Sequence, residues 1–397
     1  MSADQTTDIY YDPYEPQINA DPYPVFRRLR EERPLYYNSR YDFYALSRAD
    51  DVEAALGDSK RLSSARSDIL EFIRLETDFP TGFFIFEDPP LHTRHRGVVS
   101  RVFTPKKMAA LEPQVRAFCA RCLDPLIGSG RFDLVKDFGD LVAMRVIGML
   151  LGIPEVDQRT VHEYVDGSIR NEPGKPLEAD RSNFEGGMYA EYIDWRAQHP
   201  SDDLMTDLLN VEFEDETGTS RKLTREEVLT YVNLLAGAGN ETTAKLIGWA
   251  GKLLGDHPDQ RRDLVEQPAL ASDAIEEILR YEPPGVQCAR VALEDVEFQG
   301  ETVPAGSVVL CLMAAANRDD RRFPDGDRFD IRRRPSGILT FSFGPHYCLG
   351  AALARLQGRV ALEEVMKRFP TWTVDDSAAN LVASSTTSGY DTLPVVV

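Results

Sequence analysis

Residues 341–350 read FSFGPHYCLG, which sets a single cysteine, Cys348, between Gly344 and Gly350 with His346 two positions ahead. The following residues, LGAALARLQGRVALEEVMKRF, place Leu353, Leu356, Val360 and Leu362 at helical spacing, so Cys348 falls at a helix N-terminus. Unpaired N–H groups and the positive end of the helix dipole favour a thiolate there, which suits a metal ligand or a nucleophile. Gly344 is free to take a positive φ, and Gly350 lets backbone amides and a flat ligand come close.

The rest of the chain limits what such a thiolate serves. Its 397 residues are 42% apolar and 28% charged, enough to bury a large core, and no stretch approaches the roughly 20 apolar residues of a membrane span. The opening MSADQTTDIYYDPYEPQINADPYP lacks the basic start and apolar run of a signal peptide, so a cytoplasmic protein is expected. Lys plus Arg number 45 against 65 Asp plus Glu, a net charge of −20 that argues against nucleic acid or an anionic membrane as main partner. Five cysteines (Cys119, Cys122, Cys288, Cys311, Cys348) are few and odd in number, as in a reducing compartment. Cys119 and Cys122 form a C-x-x-C inside the helical run PQVRAFCARCLDPL, which predicts two packed helix cysteines and not a redox pair.

Helical patterns dominate, over residues 105–126, 139–152, 225–255 and 349–369. Strand-like stretches cluster in PLYYNSRYDFYALS and in DVEFQGETVPAGSVVLCLMA, the latter read as strand, turn, strand. No linker, repeat or low-complexity tract divides the chain, so residues 1–397 are expected to form one mainly α domain with small sheets. The segment RNEPGKPLEADRS, 170–182, interrupts two helical patterns and is a candidate lid.

Three further stretches carry polar residues at telling spacings. In LTREEVLTYVNLLAGAGNETTAKLIGWAGKLLG, Thr224 and Glu227 form a capping box for a rod of about 45 Å. Midway, Gly237 and Gly239 weaken the helix, and Thr242 is placed to turn its hydroxyl onto the carbonyl of residue 238. A close helix crossing and a ligand notch both account for this. In AIEEILRYEPP, Glu277 and Arg280 lie three apart on one helix face, a spacing shared by Glu71 with Arg74 and Glu178 with Arg181, where it predicts solvated surface pairs. In EDPPLHTRHRGVVSRVFTP, His92 and Arg96 lie four apart on one helix face, with His95 expected to turn outward.

For Cys348 itself, four roles compete: a structural cysteine, a zinc ligand lacking a second ligand pair, a nucleophile served by His346, and a thiolate ligand to haem iron. The loop resembles the haem-ligand loop of the cytochromes P-450, F-G-x-G-x-H-x-C-x-G, through Phe341, Gly344, His346, Cys348 and Gly350, with Ser342 in place of a glycine. The motif A/G-G-x-D/E-T-T/S is matched by Ala238, Gly239, Asn240, Glu241, Thr242 and Thr243, the E-x-x-R pair by Glu277 and Arg280, and D-P-P-x-H-T-x-x-R by the stretch holding His92 and Arg96. These motifs stand in the family's order, and the similarity runs over nearly the whole chain.

The resemblance implies the cytochrome P-450 fold around a buried haem b, with Cys348 as axial iron ligand. His92, Arg96, Arg290 and His346 become donors to the haem propionates and Gly350 a close backbone contact, while Glu241 and Thr242 become the proton relay to bound dioxygen. Glu277 and Arg280 would be buried, joined by an arginine from the segment before the cysteine loop, expected to be Arg328. The pocket is expected to draw on Ile69, Leu70, Phe72, Phe83, Phe84, Leu235, Ala238, Val286 and Tyr390, which predicts a hydrophobic substrate such as a fatty acid, terpenoid, steroid or polyketide. No flavin or nicotinamide fingerprint is evident, so the implied monooxygenase, most simply a hydroxylase and a monomer, draws electrons from a ferredoxin and its reductase. The docking face is expected at Arg94, Arg101, Lys106, Lys107, Arg355 and Arg359. A peroxide-driven enzyme, a nitric-oxide reductase of the same fold, a non-catalytic haem sensor and a haem-free cysteine hydrolase are the alternatives.

Overall fold

A computed structural model describes residues 9–101, 103–161, 163 and 186–397. The candidate lid at 170–182 lies outside the described residues, as does the Glu178 and Arg181 pair. Among the described helices, those that frame the site are α1 (Tyr23–Glu32), α2 (Ala49–Gly57), α3 (Leu70–Arg74), α4 (Leu91–Ser100), α5 (Glu112–Leu123), α6 (Asp140–Leu151), α7 (Arg225–Asp256), α8 (Ala271–Tyr281) and α9 (Ala351–Arg368). The predicted helical run over 105–126 divides: a short helix, Pro105–Ala109, is followed by α5, which restarts at Glu112 with Pro113 in its first turn.

The long helix α7 is the spine. Thr224 accepts from the Glu227 N–H at 3.2 Å and the Glu227 carboxylate accepts from the Thr224 N–H at 2.7 Å, completing the capping box. Its apolar residues are buried on nearly every face, because α6, α8 and α9 pack around it. Close packing is achieved with glycine: a Cβ at Gly358 of α9 would lie 2.9 Å from Leu246 of α7, and one at Gly239 of α7 would lie 3.0 Å from Ile147 of α6. Gly239 thus serves the close helix crossing.

One mixed sheet carries the other half of the site. Its strands are β1 (Leu35–Asn38), β2 (Phe43–Leu46), β3 (Leu62–Ser63), β4 (Cys288–Ala292) and β5 (Val308–Cys311), in the order β1-β2-β5-β4-β3. β5 runs parallel to β2 and antiparallel to β4, which puts Val309 opposite Arg290 and Cys311 opposite Cys288. The stretch read as strand, turn, strand holds three strands, because a hairpin, Val296–Phe298 with Glu301–Val303, precedes β5. A second hairpin, β6 (Asn380–Ala383) and β7 (Ser388–Thr392), lies along α7, where Trp249 Nε1–H donates to the Ser388 carbonyl at 3.1 Å. No described helix is long and apolar enough to cross a membrane.

Candidate active site

The cysteine loop is built before α9 begins. Helix α8 supplies the anchor: the Thr340 hydroxyl donates to the Leu279 carbonyl at 2.6 Å, and Asn317 Nδ2–H donates to Thr340 Oγ1 at 2.8 Å. The Cys348 N–H then donates to the Phe341 carbonyl at 2.7 Å, closing the loop, and Gly350 is the N-cap of α9. Gly344 takes φ +70°, and a Cβ there would stand 2.9 Å from the Cα of Gly57 at the end of α2. Ser342, where the family pattern has glycine, also takes a left-handed φ of +61°, and its buried hydroxyl has no partner.

Cys348 is accessible to solvent although protein atoms surround it densely, as expected of a residue lining an internal cleft. Burial pushes its thiol up, partly offset by the N–H groups of Gly350 and Ala351 and by Arg96 and Arg355. In α7 the run from Gly237 to Thr242 is likewise accessible, apart from Asn240, while the turns on either side are buried. The Thr242 hydroxyl donates to the Ala238 carbonyl at 3.1 Å and that of Thr243 to Gly239 at 3.3 Å. Glu241 is paired: Lys245, one turn further on and buried, reaches its carboxylate at 2.5 Å.

Four donors gather beside the loop. The rings of His92 and His346 lie 4.2 Å apart, and both nitrogens of buried His92 and Nε2 of His346 lack any partner. Arg290, buried on β4, donates to the Ala289 carbonyl at 2.7 Å, while Arg96 donates to the Tyr347 carbonyl. Neither arginine has a carboxylate within ion-pair distance among the described residues. Burial, with Arg96 next, pushes the His92 imidazole down to about 4. Burial, with Arg290, His92 and Arg96 adding, pushes His346 down to about 2. Buried ring nitrogens without partners are costly, and a planar group carrying two carboxylates fits the set that these two histidines form with Arg96 and Arg290.

Several expected residues sit elsewhere. Arg328 does not join Glu277 and Arg280: its guanidinium is exposed and pairs with Asp330 at 2.8 Å. Arg333 takes that place, donating to Glu277 at 3.1 Å, while Arg280 holds both Glu277 oxygens at 2.7 Å and donates to the carbonyls of Asn317, Gly326 and Arg328. Arg328 therefore contributes a carbonyl and not a charge. His95 is buried, its Nδ1 at 2.7 Å from Glu87, and is not turned outward. Glu71 is buried and accepts from the Ser385 hydroxyl at 2.6 Å.

Of the pocket residues, Ile69, Ala238 and Val286 retain accessible surface. Phe72 and Phe83 are buried in an aromatic cluster that Phe79 and Phe86 complete, Phe84 is buried with its ring 6.3 Å from His92 and 5.9 Å from Tyr231, and Leu235 is buried in the same core. Leu70 faces the other way, into a core with Tyr11, Phe26 and Phe43. Tyr390 packs edge-on against Trp249, about two turns of α7 beyond Thr242. Leu70 and Tyr390 are thus packing residues. Phe79, Phe86 and Tyr231, neighbours of the buried phenylalanines, are aromatic residues of ordinary spacing, without a signal of their own in sequence.

A helical fold with this cysteine loop and this set of histidines and arginines fits one class, the haem-binding oxidoreductases. The chain belongs to the cytochrome P450 family. The family model for Cytochrome P450 matches residues 263–384. Cytochrome P450 130 of Mycobacterium tuberculosis is 35% identical over 370 residues, 90% of this chain and 90% of that protein. Vitamin D(3) 25-hydroxylase of Pseudonocardia autotrophica is 35% identical over 383 residues, 95% of this chain and 94% of its own. The structure of a mutant of P450 EryK in complex with erythromycin B superposes with a TM-score of 0.86 at 31% identity, covering 96% of this chain and 97% of that one. The fold is the cytochrome P450 fold, and the protein is a monooxygenase.

Proposed function

We propose that this monooxygenase hydroxylates a bulky hydrophobic small molecule, with Cys348 as the residue that would bind the iron of haem b and with electrons from a ferredoxin and its reductase. The observation that carries the proposal is the accessible Cys348 at the start of α9, beside the partnerless nitrogens of His92 and His346. His92, Arg96, Arg290 and His346 would hold the two carboxylates of the group, and Gly350, without a side chain, would let it come close. When bound, a thiolate-ligated haem supplies the activation of dioxygen.

The chain's own residues do the rest. Thr242 presents a hydroxyl at the accessible midpoint of α7, and Glu241 beside it is the carboxyl group through which the proton passes. Glu277, Arg280 and Arg333 tie the segment 317–333 to α8, which keeps the approach to the cysteine loop rigid. Ile69, Ala238 and Val286 present apolar surface to the substrate. Relatives named for a vitamin D(3) hydroxylation and for an erythromycin B complex support a large hydrophobic substrate.

The docking face narrows. Arg355 is paired with Glu276, Arg359 with Glu112 and Glu363, and Lys107 with Asp207. Arg94, Arg101 and Lys106 make no ion pair among the described residues, and we assign the ferredoxin contact to them. The test of the whole reading is the spectrum of the reduced carbon-monoxide complex. The red-shifted Soret band of a thiolate-ligated haem is expected, and its loss in Cys348→Ala; a variant that keeps the band would assign the ligand elsewhere.

A further inference from the structure

Lys245 has no place in the reading above, yet it is the most constrained cation near the relay. It lies on the buried face of α7, and a lysine ammonium is almost never buried unless paired. Its Nζ lies 2.5 Å from Glu241 and donates at 2.7 Å to Oγ1 of Thr387, in the turn that joins β6 to β7. The stem is held as well: a Cβ at Gly389 would stand 2.6 Å from Cβ and 2.4 Å from Cγ of Lys245, so that strand carries glycine where the lysine passes.

The turn is itself bonded to Val286, one of the proposed pocket residues. The Val286 N–H donates to the Thr386 carbonyl at 2.9 Å, and Gly285 bridges to Thr387. One ammonium therefore connects the candidate proton donor on α7 with a turn bonded to a pocket residue. Glu241 keeps part of its surface accessible, so its carboxylate is restrained but not sealed in.

We propose that Lys245 is a positioning residue that holds the Glu241 carboxylate at the level of Thr242 and couples it to the 384–387 turn. The proposal rests on the reading of Glu241 as the relay acid. A substrate that shifts the turn through Val286 changes the grip of Lys245 on Glu241, so proton delivery follows pocket occupancy.

The test compares Lys245→Met, Lys245→Arg and Glu241→Gln as haem-loaded proteins. Amide hydrogen exchange is followed at residues 384–388 in the resting protein. Oxygen consumption driven by a ferredoxin and its reductase is followed in H2O and D2O. Lys245→Met is expected to exchange about tenfold faster at the turn and to consume oxygen about tenfold more slowly, with a larger solvent isotope effect. Lys245→Arg is expected to recover both to within about twofold, since it keeps a cation within reach. Should Lys245→Met not fold, Gly389→Ala displaces the stem and keeps the ammonium, and is expected to speed exchange at the turn about threefold. A Glu241→Gln protein at the original rate overturns the relay reading. A slow Glu241→Gln beside a Lys245→Met, or in its place Gly389→Ala, unchanged in both readouts leaves the relay standing and overturns the role of Lys245.

Discussion

At Cys348 the structure sets two demands against each other, because the residue is accessible to a ligand while burial pushes its thiol upward. Iron ligation requires the thiolate, so haem uptake at Cys348 would release a proton. Affinity of the apoprotein for haem is expected to rise by up to about tenfold per pH unit between about pH 6 and pH 8, since the thiol is pushed upward by burial; a flat profile in haem-transfer measurements would contradict this. His92→Ala and His346→Ala are each expected to speed haem loss about tenfold, the worth of one charge-assisted bond. Ser342 offers a gain: with its left-handed backbone and its idle hydroxyl, Ser342→Gly is expected to raise stability by about 1 kcal/mol in urea unfolding. Cys348, Glu241, Thr242 and the four residues proposed to hold the haem carboxylates, His92, Arg96, Arg290 and His346, are picked out in sequence by the motifs and family order they stand in. His95 was misread because positions three and four apart share one helix side, and its partner Glu87 lies in a loop without period. Glu71 was misread because Ser385, which covers it, is 314 residues away.

Among the elements, long helices were the easiest to read and coil the hardest. The span of α7 and its capping box followed from side-chain period and spacing, which local physics dictates. The choice between Arg328 and Arg333 did not, since both lie in one irregular segment where only the folded path decides which guanidinium turns inward. That choice is measurable. Arg333→Ala leaves part of the buried Glu277 charge unmatched and is expected to cost about 3 kcal/mol, whereas Arg328→Ala is expected to change stability by less than about 0.5 kcal/mol. Equal effects in thermal or urea unfolding would refute the assignment. In α5, burial raises the thiols of both Cys119 and Cys122, in line with packed cysteines.

For the whole molecule, a net charge of −20 makes any unpaired cation cluster an electrostatic landmark. Reversing Arg94, Arg101 and Lys106 to glutamate is expected to slow reduction by ferredoxin about tenfold at low salt and far less at high salt, because exposed charges are screened. Arg359→Glu, which disturbs an existing pair, is expected to show a weaker salt dependence in stopped-flow reduction. The contact of Gly344 with Gly57 has a consequence for inheritance. The two positions lie at opposite ends of the chain, yet a side chain at 344 would meet the backbone at 57. Because the atoms met are backbone atoms, no other residue at 57 relieves the clash and only a shifted end of α2 would, so chimeras with related enzymes should keep α2 and the cysteine loop from one parent wherever the donor loop carries a larger residue at 344.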